Sequence, residues 1–325
     1  MNKISDEDIN ILNALEEIET GKWLDSENDR NLKYLDITND LISIKDFSFI
    51  KEDPELMLRA IRLSGEIITD IDDNTLETIK ANQDFLKNTP RNRLKEHFEG
   101  ILTSNDAQKA LSYLRKTGLL IYMFGDPIYK SASNRTVQDI DIIIENINQA
   151  RPEPEHRWTL ILYPMGKDKS EQALRHMIMD DIFISKVTQA IKLVDKLYFL
   201  NTKIELKRFI KKYGYENYIF IDKIARQLKK IFDRTDYKVE SRYFMLEEAK
   251  NCNEPLTVED LNITSYDLIK NGYTGENDAD KMMSMLLDLT ITKPKLNTKE
   301  QLLKEASRLS KNPIYRKMTK IRWLR

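Results

Sequence analysis

Apolar positions recur three and four residues apart through most of this chain, which is the helical period. After Lys51, the residues Leu56, Ala60, Ile61, Ser64 and Ile67 fall on one side of a predicted helix. Asp53-Pro54-Glu55 marks its start, with Asp53 as N-cap, Pro54 at the first position and an acid in the first turn. Asp73-Asn74 caps a second helix from Thr75 to Leu86, and Thr89-Pro90 opens a third that ends near Leu102. Ser104-Asn105-Asp106 caps a fourth, closed by Thr117-Gly118. The pattern is less regular between Pro127 and Pro154. A loop-like stretch from Lys130 to Thr136 precedes the apolar run Ile140-Asp141-Ile142-Ile143-Ile144. Helical spacing resumes at His156 and continues to Lys230, residues 250–255 look like a linker, and Ser265-Tyr266-Asp267 and Asn297-Thr298-Lys299-Glu300 cap two more helices. Before Lys51 the pattern is mixed: Asp8 to Ile18 fits a helix, and Thr20-Gly21-Lys22 a turn between short strands, with Trp23-Leu24 opening the second.

Composition agrees with a helix-rich chain of two or three packed units. Of 325 residues, 32% are charged and 41% hydrophobic, with only 9 Gly and 9 Pro. The net charge of -1 argues against a globally basic surface, yet the 52 Lys and Arg leave room for local basic faces. The lone Cys252 excludes an internal disulfide and a Cys-based zinc site, and the three His lack metal-ligand spacing. No apolar run approaches the roughly 20 residues of a membrane helix, and the first residues do not read as a signal peptide, so a cytoplasmic location is expected.

Several segments, in order, resemble the class II tRNA nucleotidyltransferases (CCA-adding enzymes) and bacterial poly(A) polymerases. The residues 51–62, KEDPELMLRAIR, are similar to the family's neck helix, K-E-D-P-L-R-M-L-R-A-I-R. Thr89-Pro90 through Arg93 to Leu102 resembles the next neck motif, and residues 110–120 resemble the A-L-x-x-L-x-x-T-G-L-L that opens the body. Arg157-Trp158 to Leu162, then Ala173-Leu174-Arg175, resembles the paired body helices. Leu256 to Ile263 with Asp267-Leu268-Ile269 and Gly272 resembles a tail motif. The resemblance covers roughly residues 8–305. It implies a mainly helical, all-α, elongated neck–body–tail arrangement with a small mixed α/β remnant at the N-terminus. The corresponding segments are 1–50 (the end of the catalytic head), 51–102 (neck), 103–249 (body) and 250–325 (tail).

The resemblance also implies what is lacking. Nucleotidyl transfer uses paired carboxylates to hold metal ions, and in this family they come as D-x-D after a Gly-Gly turn in the head. Asp8 to Leu15 and Glu19 to Asp25 resemble only the head's end, so most of the head is expected to be missing. In the neck, the family's E-D-x-x-R reads the incoming base through its Asp and Arg. Asp53 matches the Asp, or merely caps its helix, whereas Leu56 stands in place of the Arg and has no donor. Arg59, Arg62 and Arg93 match other family arginines and, with Asp53, form a degenerate nucleotide-binding set. His97 stands where a Glu is usual.

Asp139-Ile140-Asp141, downstream of Phe124-Gly125-Asp126, offers a rival D-x-D. On a strand, carboxylates two apart share a side. Asp126 in place of a small residue, and flanks that read as body, favour a body helix or loop instead. The His-Asp phosphohydrolase of a related subfamily is not expected, because Tyr163 and Pro164 occupy those places and Pro offers no ligand.

RNA contact is the function left. Lys207, Arg208, Lys211, Lys212, Arg226, Lys229 and Lys230 are interleaved with Phe209, Tyr213, Tyr215 and Tyr218. Arg316, Lys317, Lys320 and Arg322 stand around Tyr315 and Trp323. Basic charge attracts phosphate and aromatic faces stack on bases, although a solvated helix face over core aromatics has the same pattern. The expected partner is tRNA or a tRNA-like RNA, with no cofactor bound by this chain alone. Two other readings stay open. In one, another chain supplies the head, and Mg2+ with it. In the other, an exposed apolar neck face binds a different protein.

Overall fold

The computed structural model describes residues 34–38, 41–233, 238–273, 275 and 278–311. The predicted helix over 8–18, the turn at 20–22 and the second basic cluster at 316–322 lie outside them. The chain divides into two compact units, Met1–Gln189 and Ala190–Arg325. It is mainly helical, with one small sheet among the described residues.

In the first unit, strands β1 (Leu35–Thr38) and β2 (Leu41–Ile44) pair antiparallel, with Leu35 opposite Ile44. A third strand, β3 (Asp70–Ile71), joins β2 in parallel. The predicted neck thus contributes a strand as well as helices, and it does so through the short gap between two of its helices. The short α1 (Phe49–Glu52) leads into α2 (Glu55–Glu66). Next come α3 (Asp73–Asn82), α4 (Arg91–Thr103), α5 (Ala107–Lys116), α6 (Leu120–Phe124) and α7 (Asp126–Lys130). The unit continues with α8 (Asn134–Asn146), α9 (Pro154–Leu162), α10 (Gly166–His176) and the start of α11 (Asp181–Leu197).

Helix α2 is the centre of this unit. Leu56, Met57, Leu58, Ala60 and Ile61 are all fully buried, because α2 packs against both α4 and α5. Its Gly65 permits that approach: a Cβ there would meet Ser104 Oγ at 2.5 Å and the Asp106 carbonyl at 2.9 Å. Phe98, Phe124 and Trp158 build the neighbouring core, with Phe98 edge-on to the other two at 6.0 and 4.8 Å. Arg157, also buried, donates to the carbonyls of Leu102, Ser104 and Ala150, satisfying the C-terminal end of α4.

Local caps differ from their prediction by a residue or two. Asp72, not Asp73, caps α3, accepting from the Thr75 amide at 3.0 Å. Asp106 caps α5, and Thr264 forms a capping box with Asp267 ahead of α15 (Ser265–Lys270). Asp53 does not N-cap α2, which begins after Pro54 without a side-chain cap; it closes α1 through its backbone amide, and its carboxylate turns to Arg59.

The second unit holds the end of α11, then α12 (Lys203–Tyr213), α13 (Tyr215–Ile231) and α14 (Lys238–Asn251). After these come α15, α16 (Ala279–Thr292) and α17 (Lys299–Ser310). Leu261, Ile263, Leu268, Met282, Leu286 and Leu302 form one core cluster. The predicted linker is a packed connection. The Glu254 carboxylate accepts from Lys203 at 2.7 Å and Lys207 at 3.0 Å, and its amide donates to the Ala249 carbonyl.

Candidate nucleic-acid interface

The neck residues singled out in the sequence do gather around α2 and α4, but each cation has its own carboxylate. Arg59, almost fully buried, forms an ion pair with Asp53. Arg62 Nε donates to Glu66 at 2.6 Å, one turn along α2. Arg93 bridges Glu55 (3.0 Å) and Glu96 (2.6 Å). His97, at the family's Glu position, is buried and bonds Glu55 Oε2 from Nε2 at 3.0 Å. The bond from His97, opposed by burial and joined by Arg93, lowers the Glu55 pKa to about 2. Leu56 is fully buried in the α2 core. The neck therefore offers a base neither a free Asp53 carboxylate nor a side-chain donor at position 56. Among the described residues of 51–102, the large exposed apolar side chain is Ile68.

Asp139 and Asp141 lie in α8, a helix capped by Ser133 and not the strand a D-x-D metal pair needs. Two residues along a helix are turned about 200° apart. Asp141 accepts from Arg115 Nε at 2.7 Å, while Asp139 lies 3.5 Å from Arg135. Among the described residues no group of three or more His, Cys, Asp and Glu is placed to hold a metal ion.

The basic stretch over 207–230 separates into two kinds of cation. Lys207 is fully buried and serves Glu254, so it cannot meet RNA. Lys211 is tied to the Ser284 carbonyl at 2.7 Å and Asp288 at 2.5 Å. Arg226 pairs with Asp222 at 2.6 Å and Lys229 with Glu240 at 3.2 Å. Arg208, Lys212 and Lys230 face solvent, and none has a carboxylate partner among the described residues. Arg208 and Lys212 stand one turn apart on α12 and so share a face. Of the interleaved aromatics, Phe209 and Tyr218 are core residues that pack on each other at 6.2 Å. Of the exposed aromatics that escaped the pattern, Tyr243 and Phe244 stand side by side on α14. Their signal is adjacency, because neighbours in a helix cannot both face one core.

Comparison with known proteins bears on this arrangement. Residues 70–132, from β3 to just past α7, match the family model described as "Probable RNA and SrmB- binding site of polymerase A". A CCA-adding enzyme of Geobacillus sp. (strain WCH70) is 27% identical over 146 residues. Over these segments the chain is similar to the RNA-binding region of polymerase A and to a CCA-adding enzyme.

Solved structures share the fold of this chain at low identity. The Bacillus stearothermophilus CCA-adding enzyme in complex with CTP superposes with a TM-score of 0.60 at 17% identity, covering 87% of this chain and 67% of its own. The Thermotoga maritima CCA-adding enzyme, complexed with tRNA-CCA, gives 0.53 at 16%, covering 85% and 65%. The match to the Geobacillus enzyme spans about a third of that protein, 34%, and 45% of this chain.

Proposed function

We propose that this chain binds tRNA or a tRNA-like RNA and does not transfer nucleotides by itself. The observation that carries the second half is the state of the neck. Leu56 fills the place of the base-reading arginine and is sealed in the core, while Asp53 is engaged by Arg59. Support for RNA comes from the RNA-binding family match at 70–132 and from Arg208, Lys212 and Lys230, exposed cations with no ion pair among the described residues. The tRNA seen with the Thermotoga maritima enzyme makes tRNA the first RNA to test. Phosphates would meet the exposed cations, and shape rather than base edges would be read.

A second reading starts from the same neck, in which Asp53 is engaged by Arg59 and Leu56 is buried. In it, a separate chain supplies the catalytic head together with Mg2+. Asp139 and Asp141, on a helix and each beside an arginine, do not fit a metal pair, so no step is assigned to a metal in this chain.

The test uses the purified full chain, a tRNA lacking its 3′ CCA, Mg2+, and labelled CTP and ATP. The expected result is an electrophoretic shift of the tRNA without incorporation. Incorporation by the chain alone overturns the non-catalytic reading. No shift at low salt overturns the RNA reading.

A further inference from the structure

Helix α14 carries two aromatic side chains that no core receives. Tyr243 is 50% exposed and Phe244 67%. Their direction is set by the opposite side of the helix. Arg242 is fully buried, donating to Asp222 at 3.1 Å and to the Leu197 carbonyl at 3.0 Å, and Leu246 and Ala249 also face inward. The two rings meet edge-on, with centroids 5.7 Å apart and planes at 72°. The Arg226 guanidinium lies 6.0 Å from the centre of the Tyr243 ring.

The charge around the rings is uneven. On α13, Lys223, Arg226 and Lys230 follow at spacings of three and four, so they lie along one stripe. Lys223 and Lys230 are exposed. The acids of α14 beside the rings are each taken up by a lysine. Glu240 pairs with Lys229 at 3.2 Å, Glu247 with Lys250 at 3.5 Å, and Glu248 with Lys203 at 2.8 Å. Among the described residues Lys223 and Lys230 have no ion-pair partner, while Arg226, held by Asp222, lies against the Tyr243 ring. A nucleotide combines the two complementary features, a flat π-surface and a phosphate. A paired base in a duplex has its faces covered by its neighbours, so the match is to an unpaired base.

We infer that Tyr243 and Phe244, with Lys223, Arg226 and Lys230 beside them, form a stacking platform for an unpaired base of single-stranded RNA. The inference rests on the RNA reading above. It assigns a role to residues outside every motif that carries the family resemblance.

The test compares two RNA hairpins with the same stem, one blunt and one with a 3′ extension of unpaired adenosines. Both are titrated with the full chain at fixed salt, read by fluorescence anisotropy. The wild type is expected to prefer the extended hairpin. Replacing Tyr243→Ala together with Phe244→Ala should weaken that complex about tenfold and leave the blunt one unchanged. Tyr243→Trp should keep the preference, and its fluorescence should be quenched by the extension. Both aromatics are exposed, so an unchanged circular-dichroism melt is expected for the double variant. If the wild type binds both hairpins equally, the platform is overturned and RNA binding stands. If it binds neither, the RNA reading itself fails. A double variant that alters the sedimentation of the chain while keeping RNA affinity assigns the patch to self-association and overturns the platform.

Discussion

Two groups converge on the Glu55 carboxylate, the His97 ring and the Arg93 guanidinium, and together they outweigh the opposing effect of burial. Its pKa falls from 4.5 to about 2, which corresponds to on the order of 3 kcal/mol of native-state stabilisation. Because the folded value lies below the unfolded one, this stabilisation is complete above about pH 5 and is lost as the pH falls from 4.5 toward 2. Replacing Glu55→Gln should cost roughly 2–3 kcal/mol at neutral pH. The gap to the wild type should narrow in acid, and urea melts across that range measure it. A gap that stays constant sinks the argument. Lys207 and Arg208 make a second residue-scale contrast. They are neighbours in sequence, but one is sealed in the core on Glu254 and the other is in water. Lys207→Ala should destabilise by about 2–4 kcal/mol, since it removes half of a buried pair. Arg208→Ala should change stability by less than about 0.5 kcal/mol yet weaken tRNA binding. Thermal melts and gel shifts on the two variants read both effects.

At the scale of elements, α2 shows what helical spacing can and cannot predict. Its sequence reads as a helix from spacing alone, and the helix is there. What spacing does not show is that both neighbours, α4 and α5, enclose it. Leu56 is consequently a core residue, and restoring the family's arginine with Leu56→Arg would bury a charge. That variant should lose more than about 3 kcal/mol and should not gain CTP affinity. A stable Leu56→Arg chain that binds CTP would refute this account. Helix α8 shows the converse. Its isoleucines look like a strand when read as a run, yet Ile140, Ile143, Ile144 and Ile147 are the buried ones and Ile142 is not. That is helical spacing, visible in the sequence once the Ser133 cap is recognised. Strand β3 had no such signal, because two residues are too few to carry a period and only the edge of β2 makes them a strand.

For the whole molecule, the near-zero net charge of -1 means that any polyanion must be held by local faces rather than by a global field. Arg208, Lys212 and Lys230 are the exposed, uncompensated members of the predicted basic set within the described residues. Changing all three to Ala should lower the slope of log K against log salt for tRNA by about 2 to 3. Changing Lys211 and Lys229, which already serve carboxylates, should lower it by less. Affinities measured from about 50 to 200 mM salt separate the two sets. Equal slopes for both would show that the ion pairs of Lys211 and Lys229 open freely on binding.

Helical content and the likeness to CCA-adding enzymes were legible in the chain, because period, caps and motif spacing are local properties. The partner of each charge was not. Asp53 reads as a cap and binds Arg59, Lys207 reads as an RNA contact and holds Glu254, and Asp139 and Asp141 read as a pair and turn apart. A charged side chain takes its meaning from what stands opposite it. Here the opposite group stands one helix turn away, as in Arg62–Glu66, or on a helix far along the chain, as in Lys211–Asp288, and packing alone sets the distance.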